Sequence, residues 1–235
     1  MNIVVTGASR VIGFQIVQSL AKAGVLKIIG ISRNYKQLCQ LKELCSQLSM
    51  TEFIPVAYDF QQITAAEPQL AGLIKQHFNH IDILINNAGT LVNKPFESIT
   101  TDEINRLFTV NYIAPALLIK YLLPLLRVSQ AHIVNITSMG GFQGSVKFKG
   151  LSHYSASKAA LAVLTECLAE EYKKEGLVFN ALALGAVQTE MLAEAFPNFK
   201  APVTSEQMGE FIANFAMNGK TFFNGKVLPV SLSVP

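Results

Sequence analysis

Seven short runs of β-branched and aliphatic residues alternate with helix-length segments along the chain, and no other feature limits its fold as tightly. The runs are Ile3 to Val5, Lys27 to Ile31, Phe53 to Ala57, Ile81 to Ile85, His132 to Ile136, Val178 to Ala183 and Lys226 to Val230. Between them helices are expected over Ile12 to Ala23, Tyr35 to Leu48, Pro68 to Phe78, Thr101 to Leu126, Tyr154 to Glu175 and Ser205 to Met217. Strands apolar on both faces need cover on both faces. The pattern therefore predicts an α/β fold, a doubly wound parallel seven-stranded sheet with helices on each side and right-handed crossovers. No linker, repeat or low-complexity tract divides residues 1–235, a length that one core can serve, so a single domain is expected.

Composition excludes several classes. A formal charge of +3 with scattered Lys and Arg is too weak for phosphate-backbone binding, so no nucleic acid partner is expected. Cys39, Cys45 and Cys167 are an odd set without metal-ligand spacing, which suits reduced cytoplasmic thiols and no metal site. The chain opens directly on a strand with no charged or apolar leader, which again points to a cytoplasmic protein. Its longest apolar stretch, Tyr112 to Leu126, contains Pro115, Lys120 and Pro124 and is too short to cross a bilayer, so a core helix and no membrane association are expected. Hydrophobic residues at 50% against 15% charged leave apolar surface for a homodimer or homotetramer to cover.

Each strand is followed by residues suited to a ligand edge. After the first comes Thr6-Gly7-Ala8-Ser9-Arg10-Val11-Ile12-Gly13, a tight turn into a helix whose N-terminal N–H groups can hold a pyrophosphate. The fourth ends in Asn86-Asn87-Ala88-Gly89, small and amide-rich, and the fifth in Asn135-Ile136-Thr137-Ser138. Downstream, Tyr154-Ser155-Ala156-Ser157-Lys158 sets a phenol and an ammonium four residues apart, on one helical face. An ammonium about 4 Å from the phenol contributes roughly 4 kcal/mol at intermediate dielectric, so a lowered Tyr154 pKa is expected. Asn180-Ala181-Leu182-Ala183-Leu184-Gly185-Ala186-Val187-Gln188-Thr189 follows the sixth strand.

In this order the segments resemble the motifs of the short-chain dehydrogenase/reductase family, including its 3-oxoacyl-carrier-protein reductases, over nearly the whole chain. The resemblance implies a Rossmann fold with strand order 3-2-1-4-5-6-7 and carbonyl reduction, or its reverse, with a nicotinamide cofactor. It implies Ser138, Tyr154, Lys158 and Asn111 as catalytic residues, with Thr137 as a fallback for Ser138. On that resemblance Tyr154 is expected to act as the acid, Ser138 to orient the carbonyl, Lys158 to tune the phenol and Asn111 to anchor a water reaching the lysine. Around the cofactor it implies Gly7, Ser9, Arg10, Ile12, Gly13, Arg33, Asp59, Asn87, Ala88, Gly89, Gly185, Val187 and Thr189, together with Tyr154 and Lys158.

The chain departs from the family pattern in three places. Val11 stands at the middle glycine of the first turn, where a β-branched side chain resists positive φ and adds bulk beside the phosphate. Leu184 replaces a proline, and Ser138 lies 16 residues before Tyr154, with Lys147 and Phe148 in the longer loop. The second strand ends Ser32-Arg33-Asn34 without a carboxylate, and Arg10 sits in the turn, so NADP is expected over NAD, which stays possible. Asp59 suits either the adenine amino group or a helix cap. Residues 190–205, with Phe196, Pro197 and Phe199, are expected to form a short substrate lid, and Phe142, Phe148 and Met191 to line a pocket. An apolar ketone, an acyl thioester, a steroid-like molecule, or a phosphorylated carrier met by Lys147 and Lys149 suits it. The rival readings are a dinucleotide-binding regulator or scaffold without turnover, and an NAD-linked isomerase or dehydratase. A chain ending at Pro235 leads to the expectation of no long C-terminal arm.

Overall fold

A computed structural model describes residues 1–63 and 69–232. The order is β1 (Asn2–Thr6), α1 (Val11–Lys22), β2 (Lys27–Ser32), α2 (Tyr35–Leu48), β3 (Glu52–Ala57), α3 (Gln69–His77), β4 (Ile83–Asn86), α4 (Thr101–Phe108), α5 (Ala114–Val128), β5 (His132–Ser138), α6 (Ser152–Glu171), β6 (Val178–Leu184), β7 (Val187–Gln188), α7 (Glu190–Ala195), β8 (Val203–Thr204), α8 (Ser205–Asn218) and β9 (Lys226–Val230). The main sheet runs β3-β2-β1-β4-β5-β6-β9 with every pair parallel. This is the expected doubly wound α/β arrangement. Pro68, the expected start of the third helix, lies outside the described residues.

The two-residue period of a strand explains how one sheet feeds two cores. Ile3 and Val5 of β1 enter a core with Ile16, Leu20 and Leu41 beneath α1, α2 and α8. Val4 between them points the other way, into a core with Ile74, Leu118 and Leu122 beneath α3 and α5. Ile83 and Ile85 against Leu84 repeat the division on β4. Both faces are dry, and ligands are left the edge where the strands end.

Three elements differ from expectation. The helix expected over Thr101 to Leu126 is broken by a π turn at Thr109–Ile113, between α4 and α5. Its cause lies in two residues: Pro115 has no N–H, so the Asn111 carbonyl loses its α-helical donor, and the fully buried Asn111 side chain takes partners across the turn. The helical run Thr101–Val128 is also longer than the apolar stretch read from sequence. By length and composition it suffices to cross a membrane, but Leu107, Leu118, Ile119, Leu122 and Leu126 on it are buried in the protein. Finally, β7 and β8 form a separate two-stranded parallel sheet, which carries α7 to the mouth of the cleft.

Candidate active site

The carboxyl ends of the central strands open on a cleft of about 290 Å³, which is lined by Gly7, Ser9 to Gly13, Arg33, Asp59, Asn87 to Gly89, Ser138, Tyr154, Lys158, Gly185, Val187 and Thr189. Asn111 lies one layer behind it. Phe148 and Met191 line the cleft as expected, whereas Phe142 does not. The Phe142 carbonyl instead accepts from Lys147 Nζ at 2.7 Å, and this lysine also donates to Ser145 Oγ at 2.9 Å. Lys147 thus holds its own loop together, and Lys149 is exposed and outside the cleft lining.

The first turn is closely packed. Gly7 has φ of +68°, and a Cβ there would meet Ala88 Cα at 2.9 Å; one on Gly13 would meet the Gly7 carbonyl oxygen at 2.0 Å. Thr6 Oγ1 accepts from the Asn87 and Ala88 N–H groups, both at 3.0 Å, which ties β4 to β1 beneath the turn. Arg10 is the N-cap of α1 and supplies no side-chain cap. The first N–H groups of α1 therefore have no capping side chain, and Val11, Ile12 and Gly13 line the cleft. An uncapped helix start of this kind fits a pyrophosphate. Val11 adopts φ of +48°, so the valine occupies the left-handed conformation the motif demands of glycine, at a cost of about 1–2 kcal/mol.

Around this turn the polar groups divide by role. Ser9 Oγ and Ser32 Oγ lie 2.6 Å apart and join the turn to the end of β2. Arg33 has no carboxylate partner among the described residues. Arg10 does: Nη1 donates to Glu190 Oε2 at 2.8 Å across the cleft mouth, a pairing that the sequence reading missed. Asp59 Oδ1 accepts from Gln61 N–H at 3.0 Å, the cap role, while the residue still lines the cleft. Thr189 Oγ1 accepts from Leu192 N–H at 3.1 Å and caps α7.

At the other end β5 and α6 meet. The Ser138 hydroxyl lies close enough to the Tyr154 phenol to favour its ionised form and accepts from Gly140 N–H at 3.2 Å. The longer loop between them does not part the two side chains, because the strand end and the first turn of α6 are each held by their own neighbours. Thr137, the fallback for Ser138, also lines the cleft, with Oγ1 donating to the Leu182 carbonyl at 3.2 Å inside the sheet. Lys158 is buried, with Nζ donating to the Ile136 carbonyl at 2.9 Å.

Asn111 Nδ2 donates to the Thr90 carbonyl at 2.9 Å and to Ser157 Oγ at 3.0 Å, while Oδ1 accepts from Thr90 N–H at 2.9 Å. Gly89 lies between: a Cβ there would stand 3.3 Å from Lys158 Nζ and 3.4 Å from Asn111 Oδ1. Behind the site, Asn86 Nδ2 donates to Asn135 Oδ1 at 2.8 Å and Asn135 Nδ2 to Thr165 Oγ1 at 2.9 Å, linking β4, β5 and α6.

The expected lowering of the Tyr154 pKa is corrected by its surroundings. Burial pushes the phenol up, and the neighbouring Ser138 hydroxyl opposes it only in part. Burial pulls Lys158 down to about 8. Loss of water acts on both groups, and the Lys158 ammonium is committed to a backbone carbonyl.

Fold and site together define an oxidoreductase built on a dinucleotide fold. The chain belongs to the short-chain dehydrogenase family, whose profile matches residues 1–199. It is 37% identical over 192 residues to an L-xylulose reductase of Caenorhabditis elegans, covering 81% of this chain and 73% of that protein. It is 31% identical over 223 residues to the hydroxynaphthalene reductase-like protein Arp2 of Metarhizium anisopliae, covering 92% and 80%. Among solved structures, a candidate NAD(P)-dependent gluconate 5-dehydrogenase from Beutenbergia cavernae, with NADP bound at low occupancy, superposes with a TM-score of 0.86 at 26% identity, covering 97% of this chain and 94% of that one.

Proposed function

We propose that the protein is an NADP(H)-dependent carbonyl reductase whose proton donor is Tyr154. The observation that carries this reading is that Ser138, Tyr154 and the buried Lys158 line one cleft, with Lys158 Nζ donating to the Ile136 carbonyl of the strand that carries Ser138. When bound, NADPH supplies a hydride to the substrate's carbonyl carbon and leaves as NADP+. The two hydroxyls orient the carbonyl oxygen, and as its π bond breaks, Tyr154 Oη delivers the proton that makes the alcohol. Lys158 keeps positive charge near the phenolate that remains until solvent restores the proton. Asn111, whose carbonyl lacks its helical donor, anchors a water on that path.

The uncapped start of α1, Gly7, Gly13 and Ser9 suit the pyrophosphate, and Arg33, without a carboxylate partner among the described residues, suits a 2′-phosphate. Asn87, Ala88 and Gly89 let the cofactor pass close to β4, and Gly185, Val187 and Thr189 hold its nicotinamide end. Residues 190–205, including α7, act as the substrate lid of a single 1–235 domain. A cytoplasmic homodimer or homotetramer is part of the reading, supported by exposed Val163, Phe211 and Phe222. Fluorescence titration with NADPH, followed by its oxidation in the presence of a panel of carbonyl compounds, tests the whole. Binding without turnover of any carbonyl favours the regulator instead, a reading to which the strained Val11 lends support.

A further inference from the structure

Three segments roof the cleft beyond Ser138 and Tyr154. Leu91 comes from the loop after β4, Phe148 and Leu151 from the loop before α6, and Met191, Leu192 and Phe196 from α7 and its end. They are tied to one another. Lys94 N–H donates to the Gly150 carbonyl at 3.1 Å, and Asn93 Nδ2 donates to the Ala195 carbonyl at 2.7 Å. The Phe148 and Phe196 rings meet edge to face with centroids 6.0 Å apart. The roof is therefore one connected apolar surface, and most of its side chains are only partly covered.

Its charge is as informative as its shape. The charged residues that line the cleft among the described residues are Arg10, Arg33, Asp59, Lys158 and Glu190. Arg33 and Asp59 stand at the ends of β2 and β3, away from Tyr154, and Lys158 is bound to Ile136. Only Glu190 belongs to the roof, and it is bound to Arg10. The Thr90 backbone, next to Leu91 in the chain, is occupied in both directions by Asn111. Apart from the Thr90 hydroxyl, a hydroxyl or phosphate under the roof would lose water without gaining a charged or free side-chain partner among the described residues, a net cost. Covering the roof with an apolar body is favourable in proportion to the area hidden.

Resting on the carbonyl-reductase reading above, we infer that the substrate is a ring-bearing apolar ketone, presented to Tyr154 by its carbonyl with its ring under Phe148 and Phe196. Ketoses, phosphorylated ketones and carrier-bound acyl groups are disfavoured by the same walls.

The test compares two ketones on the NADPH-loaded protein. 2-Tetralone is bicyclic and apolar, whereas L-erythrulose is an open-chain ketose too short to close into a ring. The kcat/KM for 2-tetralone is expected to exceed that for L-erythrulose by at least about tenfold, and Phe148→Asn to cut that ratio by about tenfold. Met191→Gln replaces it should the first variant not fold. In Tyr154→Phe loaded with NADPH, 2-tetralone is expected to raise Tm while equimolar L-erythrulose does not, a readout independent of turnover. Equal or better use of L-erythrulose, a ratio indifferent to both substitutions, or a Tm raised as much by the ketose overturns the inference. 2,3-Butanedione, too small to use the roof, separates the two levels: if it is reduced and 2-tetralone is not, only this inference fails. If NADPH binds and none of the three is reduced, the reductase reading fails with it.

Discussion

Lys158 Nζ donates to the Ile136 carbonyl oxygen at 2.9 Å, so the lysine that shares a helical face with Tyr154 is fastened to the strand carrying Ser138. The bond fixes α6 against β5 and places the phenol where Ser138 can reach it. Tyr154→Phe removes the transferable proton and leaves this framework in place. Its kcat is expected to fall by about 10²–10⁴-fold with the NADPH Kd unchanged, as read by single-turnover kinetics and fluorescence titration.

The same lysine sets an alkaline limit. Burial lowers its pKa to about 8, so the ammonium is present below that pH and lost above it. In the reductive direction kcat/KM, which reports the free enzyme, is expected to decline as pH rises through about 8. Lys158→Met is expected to be poorly active and to lack this limb, and a wild-type profile flat to pH 10 would contradict the assignment.

Val11 at φ of +48° makes an unusual forecast possible. Val11→Gly relieves about 1–2 kcal/mol of left-handed strain, and the greater freedom of an unfolded glycine returns part of it. A net rise in Tm of a few degrees and a tighter NADPH Kd are expected. A lower Tm by calorimetry would show that the valine's packing outweighs its backbone.

Cofactor choice rests on Arg33 at the end of β2. Arg33→Asp places a carboxylate where a 2′-phosphate would sit and a ribose hydroxyl would donate. The ratio of kcat/KM for NADPH over NADH is expected to fall by at least about tenfold, and an unchanged ratio would remove Arg33 from the cofactor site.

Acid sensitivity has a separate source. His132 is fully buried; Nδ1 faces the Ala216 carbonyl at 2.8 Å and Nε2 the Asn180 amide nitrogen at 3.0 Å, so a neutral ring with Nδ1 as donor satisfies both. A second proton would set donor against donor, and burial holds the pKa down at about 4. The unfolded ring takes its proton near ~6.5, so the stability contribution is complete above that pH and is lost as pH falls to about 4. Over that window about 3 kcal/mol is expected to disappear, and urea titrations of His132→Gln should show a shallower loss.

Alternation carried the fold: the last run read from sequence, Lys226 to Val230, has the same bounds as β9. Local motifs likewise brought Ser138, Tyr154 and Lys158 to one cleft, since the end of β5 and the first two turns of α6 take positions the sheet dictates. What stayed hidden depended on distance or on solvent. Arg10 and Glu190 lie 180 residues apart, and neither side chain alone announces the other. The Tyr154 shift was misjudged because spacing reports a charge nearby and says nothing of the water removed around it. The π turn had a signal, Pro115 four residues after Asn111, which a search for helical periodicity passes over. The β7 and β8 pair is two residues a side, too short for any pattern to reveal.

The buried chain from Asn86 through Asn135 to Thr165 bears on how the protein reaches this state as well as on its state when folded. Sliding β4 along β5 by a single residue would pull apart two amides with no water at hand, a penalty that aliphatic neighbours in the same strands would barely register. These three side chains thus penalise every misaligned pairing of β4 with β5, so that one register is preferred over its neighbours.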